Sequence, residues 1–282
     1  MIKRSTAYLA AGLMLIFGIA ISNFVLPDRS SNSALPAITQ LIINEGYGIT
    51  EQRTLTKVAA ESMLRAAGDQ WGSYQQGSDL PDEPAIVRTE TVSVTPFKRA
   101  VVIKISYFSV GTANQVKREI RNLTNAQGVV LDLRNNRGGL LAEAVATASL
   151  FLADELITTV TSRKAEPVTL YADKSGRKDF SVVVLIDAGT ASSAEIVASA
   201  LQDHGRAVVV GSRSYGKASV QETFQLPDGS KLLLTVGRFI RPTGNEIDGN
   251  GITPDVPVAA TGDALKMALN VAVGLNAAVS GR

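Results

Sequence analysis

The chain contains no cysteine. That excludes disulfides, thiol nucleophiles, cysteine-ligated zinc and a lipidated cysteine of the bacterial type. It has a single histidine, His204. Histidine-rich metal sites and paired-histidine metalloprotease motifs are therefore excluded as well. Acid–base chemistry falls to His204, carboxylates, lysine or tyrosine. There is little excess charge: +2 over 282 residues, which argues against a nucleic-acid partner and against an acidic tail. Repeats and low-complexity blocks are absent. The length fits one large domain or two small ones, with ample core.

What is present begins with a basic start, Lys3-Arg4, followed by an uncharged apolar run from Ala7 to Leu26. This reads as a signal peptide or an N-terminal membrane anchor over residues 1–26. The run is long for a signal-peptide core, and Ala20-Ile21-Ser22 is a weak cleavage site, so the anchor is the favoured reading. Either one places the rest of the chain outside the cytoplasm, because the positive residues stay inside. Residues 27–36, rich in Ser, Asn and Pro, read as a linker.

Two helices follow, over 38–46 and 51–67, the second closed by Gly68. Together with Trp71-Gly-Ser-Tyr74 they make an N-terminal helical region over 37–85. From residue 86 strands and helices alternate. Strands are expected over 86–94, 100–108, 128–133, 156–161, 167–171, 182–186, 206–211, 219–226 and 231–238. Helices are expected over 112–125, 140–152 and 192–204, and a closing helix over 263–275. Pro227-Asp228-Gly229-Ser230 is a hairpin turn by composition. The alternation from 100 to 211 argues for βαβ units and a mostly parallel sheet, with sites at the carboxyl ends of strands.

Two strand-to-helix turns stand at such ends. One is Asn135-Asn136-Arg137-Gly138-Gly139. The other is Asp187-Ala188-Gly189-Thr190-Ala191-Ser192-Ser193, which opens a helix at Ala194-Glu195-Ile196. A serine at this place has its hydroxyl at the positive end of a helix, as in a nucleophile elbow, and equally fits an ordinary N-cap. A nucleophilic Ser192 needs a base within about 3 Å. His204 closes the same helix and lies roughly 18 Å away at ~1.5 Å rise per residue, so it reads as a polar helix-end residue. Lys217 is the alternative: a neutral lysine deprotonates serine when burial lowers its pKa. Gln221, four residues on, is placed to hydrogen-bond that amine. Gly138 offers a backbone N–H for an oxyanion, with the Ser193 N–H as second donor. Taken singly, Lys217 is a loop lysine and Gly138-Gly139 a tight turn.

Taken together, the residues resemble the C-terminal processing peptidases, or tail-specific proteases. The matching motifs are Gly128-Val-Val-Leu-Asp-Leu-Arg-Asn-Asn-Arg-Gly-Gly139, Gly189-Thr-Ala-Ser-Ser-Ala-Glu-Ile196, Gln202-Asp-His-Gly-Arg-Ala207, Gly216-Lys-Ala-Ser-Val-Gln221, Pro227-Asp-Gly229 and Gly251-Ile-Thr-Pro-Asp255, in the family's order and spacing. The resemblance runs from about residue 86 to 258 and is looser over 36–74.

It implies an α/β fold with a crotonase/Clp-like core, here a serine–lysine protease core over 86–260 and a C-terminal helix within 261–282. It further implies a serine endopeptidase acting through an acyl-enzyme. Ser192 is then the nucleophile, Lys217 the general base, Gln221 the residue that positions it, and Gly138 and Ser193 the oxyanion donors. Protein or peptide substrates are implied, and no metal or cofactor. The sequence departs from the family's usual Ser-Ala-Ser-Glu, reading Ser192-Ser193-Ala194-Glu195, and Ala218 replaces a glycine. Counting three back from Glu195 selects Ser192. Family members usually carry a PDZ domain between the helical region and the core, yet only eleven residues separate Tyr74 from Ile86. Recognition of substrate C-termini is therefore not carried over; the N-terminal helices or an adaptor protein are candidate replacements, and a self-contained, less selective protease is equally allowed. A homo-oligomer is compatible with the sequence. The rival readings are a catalytically silent binding or scaffold protein on the same core, and a signal-peptide-degrading peptidase.

Overall fold

The computed structural model describes residues 34–46, 48, 50–76, 92–96, 100–121, 123, 128–174, 176–259 and 262–280. The expected signal peptide or anchor over 1–26 lies outside them. Among the described residues no helix is long and apolar enough to cross a membrane. The chain forms two compact units, Met1–Pro84 with Val220–Val236, and Ala85–Ser219 with Gly237–Arg282.

In the first unit, helices α1 (Ala34–Glu45) and α2 (Gln52–Ala66) precede a short strand β1 (Ser73–Gln75). Helix α1 starts inside the expected linker. Pro36 does not prevent this, because a proline in the first turn removes only an amide that has no intrahelical acceptor. Strand β1 was not expected from Trp71-Gly-Ser-Tyr74. It pairs antiparallel with Lys231–Leu233, and a three-residue strand is set by that pairing rather than by its own pattern. Asp69 fixes the corner after α2. Its carboxylate accepts the N–H groups of Trp71, Gly72 and Thr235 and the Thr235 hydroxyl. Burial pushes its pKa up, and these hydrogen bonds more than offset that, holding it below the ordinary aspartate value.

The second unit is built on six strands in the order β11-β8-β7-β4-β3-β2. These are β2 (Val92–Pro96), β3 (Ala100–Ile105), β4 (Gly128–Asp132), β7 (Val182–Ile186), β8 (Val208–Gly211) and β11 (Val256–Pro257). All neighbours are parallel except β2, which runs antiparallel on the edge. Strands β4 and β7 are buried along their whole length, as expected of a parallel sheet covered on both faces. One face, Val102, Val130, Val183, Leu185 and Val210, packs on Ala268 and Ala272 of the closing helix α6 (Ala264–Ser280). The alternate residues Val101, Ile103, Val129, Leu131 and Val184 are buried as well. Helices α3 (Thr112–Arg121), α4 (Leu141–Ala148) and α5 (Ser193–Asp203) pack in series on one another. Helix α4 stops at Ala148, four residues short of expectation, and the chain turns through Ser149–Phe151 by 149→145 and 150→147 backbone bonds. Strands β5 (Leu156–Ser162) and β6 (Val168–Tyr171) form an antiparallel pair, which Gly237–Ile240 extends.

The Gln202–Ala207 motif secures the far end of α5. Gly205 has φ of 60°, the left-handed turn that ends a helix. Asp203 pairs with Arg241 and accepts from Thr243. Arg206 donates to the carbonyls of Phe151, Arg177 and Phe180 and stacks 5.4 Å from the Phe180 ring centre. Arg206→Ala strips three carbonyls of their donor at about 1–3 kcal/mol each. The urea unfolding midpoint should therefore fall by the equivalent of about 3 kcal/mol or more. An unchanged midpoint would show that water replaces the guanidinium without cost.

Candidate active site

Four loops leave the carboxyl ends of β3, β4, β7 and β8, and backbone hydrogen bonds lace them together, Phe108 to Gly138, Ala191 to Asn136 and Tyr215 to Thr190. In the loop after β7, Asp187 accepts the N–H of Asn135, 2.9 Å away in the loop after β4, and that of Gly189. The Thr190 hydroxyl donates to the Leu133 carbonyl, Ala191 N–H to the Asn136 carbonyl, and the Ser193 hydroxyl to the Gly139 carbonyl at 2.8 Å. The glycines permit the closest approach. A Cβ on Gly138 would sit 2.8 Å from the Ser192 Cβ, and Gly138 has φ of 101°.

Ser192 stands at the N-cap of α5 with φ 57° and ψ −123°. A non-glycine residue held there is strained by about 1–3 kcal/mol, and such outliers cluster at functional sites. It is also the conformation of a sharp strand-to-helix turn that lifts a side chain off the backbone. Ser192 is part-exposed, whereas Ser193 is 2 % exposed with its hydroxyl bonded to Gly139. The Ser193 N–H lies in the first turn of α5, where amides have no intrahelical acceptor. The Gly138 N–H donates at 2.8 Å to the side-chain oxygen of Asn136.

Lys217 lies in the loop after β8, and every backbone N–H from 214 to 218 has an acceptor. Ser214 donates to Ile252, Tyr215 to Thr190, Gly216 and Lys217 to the Glu195 carboxylate, and Ala218 to Asp248. The Gly251–Asp255 motif and the two residues before it pack against this loop. Gly249 donates to the Gly216 carbonyl, and a Cβ on Gly251 would meet the Ser214 carbonyl oxygen at 2.4 Å. Asp255 accepts from the Val209 N–H and the Gln202 amide, and so ties the motif to β8. Lys217 is half-buried, and burial pushes its ammonium below the ordinary lysine pKa. Ser219 Oγ, at the start of β9 (Ser219–Gln225), is the one buried side-chain polar atom without a hydrogen-bond partner among the described residues.

Glu195 was not singled out in the sequence, although Ser192-x-x-Glu195 has the spacing of a capping box. It is fully buried. Its Oε1 accepts from the Ser214 hydroxyl and, at 2.7 Å, from Gly216 N–H. Its Oε2 accepts from the N–H groups of Ser192 and Lys217, each at 2.9 Å. Burial pushes its pKa above the ordinary glutamate value, against the pull of these four bonds.

Residues 99–258 match the model of peptidase family S41. The chain belongs to peptidase family S41. A carboxyl-terminal-processing protease of Synechocystis sp. is 34% identical to it over 191 residues, which is 64% of this chain and 44% of that protein. The chain thus spans less than half the length of this curated relative. Among solved structures, the photosystem II D1 C-terminal processing protease superposes with a TM-score of 0.56 at 27% identity, over 65% of this chain and 53% of that one. A lipoprotein from Streptococcus agalactiae shares the fold over 86% of this chain and 90% of its own, with a TM-score of 0.63 at 18% identity.

His204 and Gln221 are the two further residues weighed in the sequence. His204 is exposed at the opposite end of α5 from Ser192, its Nε2 2.6 Å from the Leu156 carbonyl. Gln221 lies in the first unit, where its side-chain amide donates to the Trp71 carbonyl. Among the described residues no group of three or more carboxylates and histidines is placed to hold a metal.

Gly138→Ala should be costly on two counts, its positive φ and the contact with Ser192. We expect a loss of about 1–3 kcal/mol of stability and at least a tenfold fall in any activity centred on Ser192. Chemical denaturation and turnover assays check this, and a variant equal to the parent in both would refute the close packing.

Proposed function

We propose that this chain is a serine endopeptidase that cleaves protein substrates outside the cytoplasm through a Ser192/Lys217 dyad. The observation that carries the reading is the backbone of Ser192. A strained serine at a helix N-terminus, hydrogen-bonded through Glu195 to the loop that holds Lys217, has the build of an activated nucleophile. The exposure of Ser192 and the engagement of the Ser193 hydroxyl favour the first of the two adjacent serines.

In this reading neutral Lys217 takes the Ser192 proton as Oγ attacks the substrate carbonyl. The tetrahedral oxyanion is met by the Ser193 N–H and by the Gly138 N–H, which exchanges Asn136 for the oxyanion. The protonated lysine then gives its proton to the leaving amine. Water, deprotonated by the same lysine, hydrolyses the acyl-enzyme and restores Ser192. Gln221 positions the lysine, and neither metal nor cofactor takes part. The apolar run over 7–26 retains the chain at a membrane or exports it. With eleven residues between Tyr74 and Ile86, substrates are brought by the N-terminal helices or by an adaptor rather than by an inserted PDZ domain, or are taken unaided by a less selective protease.

Ser192→Ala and Lys217→Ala should each lower turnover of fluorescein-labelled casein by at least about a thousandfold. Full activity in either variant would contradict the dyad. The pH profile gives a second test. Lysine works as base only when neutral, and burial lowers its pKa, so neutral Lys217 is gained as pH rises through that lowered value. The parent kcat/KM should climb with pH and level off below the ordinary lysine range of about 10.4. A profile that falls over this range would exclude a lysine base.

A further inference from the structure

We propose that Glu195 is the positioning residue of the dyad: one buried carboxylate sets the backbone of both the nucleophile Ser192 and the base Lys217. The proposal rests on the reading of those two residues given above. The two backbone N–H groups, from residues far apart in sequence, converge on a single oxygen, Oε2. Their nitrogens are therefore held within two hydrogen-bond lengths of each other. The other oxygen takes Ser214 Oγ and Gly216 N–H, which fixes the turn that carries Lys217.

All four partners present hydrogens, so the site suits an acceptor-only group with two equivalent oxygens, which is an ionised carboxylate. A glutamine has one such oxygen, and its NH2 would face two donors at the other end. An aspartate keeps the charge and both acceptors but falls one methylene short. Hydrogen bonds to a buried anion are stronger than neutral ones. They oppose the strain of Ser192 at the residue where it is stored. The loop has other fastenings, among them Ser214 N–H to Ile252, Tyr215 N–H to Thr190 and Gly249 N–H to Gly216. Loss of the carboxylate should therefore leave the fold standing and relax the register of the two catalytic groups.

The test compares Glu195→Gln and Glu195→Asp with the parent full-length protein, using labelled casein and expressing kcat per folded molecule counted by urea unfolding. A displacement on the order of 1 Å costs about a hundredfold in rate, so Glu195→Gln should lose about that factor in kcat with KM within threefold of the parent. Glu195→Asp should retain more kcat than Glu195→Gln, because it keeps the charge. A residue that only fills space would give the reverse order, since glutamine has the native shape. Glu195→Gln at parental kcat, or equal to or faster than Glu195→Asp, overturns the proposal. Ser192→Ala and Lys217→Ala are measured alongside. If either is fully active, the dyad reading itself fails. If both are inactive while Glu195→Gln turns over normally, only the positioning role falls.

Discussion

The Glu195 carboxylate sits three residues into α5, with four donors on two oxygens and no exposure to water. Burying a charge is unfavourable unless it is paired or richly hydrogen-bonded. Here the helix N-terminus adds a favourable field. The rest of the site depends on this arrangement. It lets the chain leave β7, turn through a strained serine and enter α5. It also gives the loop after β8 a fixed anchor beside that turn. Without such an acceptor the amides of Ser192, Gly216 and Lys217 would lose the hydrogen-bond partner they share.

The parallel sheet explains why these loops meet at all. Parallel strands place their carboxyl ends on one edge, and β3, β4, β7 and β8 are neighbours there. The connections from β4 and β7 are then close enough to bond backbone to backbone, with Asn136, Asp187 and Thr190 joining them. Glycine at 138 and 139 removes the side chains that would keep the loops apart. Elsewhere the same logic secures the supports. Arg206 fills the far end of α5 with three carbonyl contacts, and Asp255 holds the Gly249–Asp255 segment to β8.

The buried strands β3, β4 and β7 were legible because runs such as Val182–Ile186 have no other stable home than a covered sheet. The glycine and serine turns at their ends were legible for the same reason, since small residues follow strands where backbones must approach. Strands β1 and β11 were not. Each is two or three residues long, and partners far off in sequence define them. The start of α1 was obscured by Pro36, whose composition signal suggests a linker even though a first turn accepts it. Glu195 was visible as part of a motif, but its role was not. A glutamate in the first turn of a helix reads as a cap, and only three-dimensional contact brings Ser214, Gly216 and Lys217 onto it. Asn136 was hidden likewise, because its bond to the Gly138 N–H depends on the local turn.

The central claim is that Ser192 is an activated nucleophile. Reaction of the folded protein with a fluorophosphonate probe, followed by peptide mapping by mass spectrometry, tests it most directly. A single stable adduct on Ser192 is expected, formed in the native state and absent when the protein is unfolded before exposure to the probe. An adduct on Ser193, or no adduct on the folded protein, would contradict it.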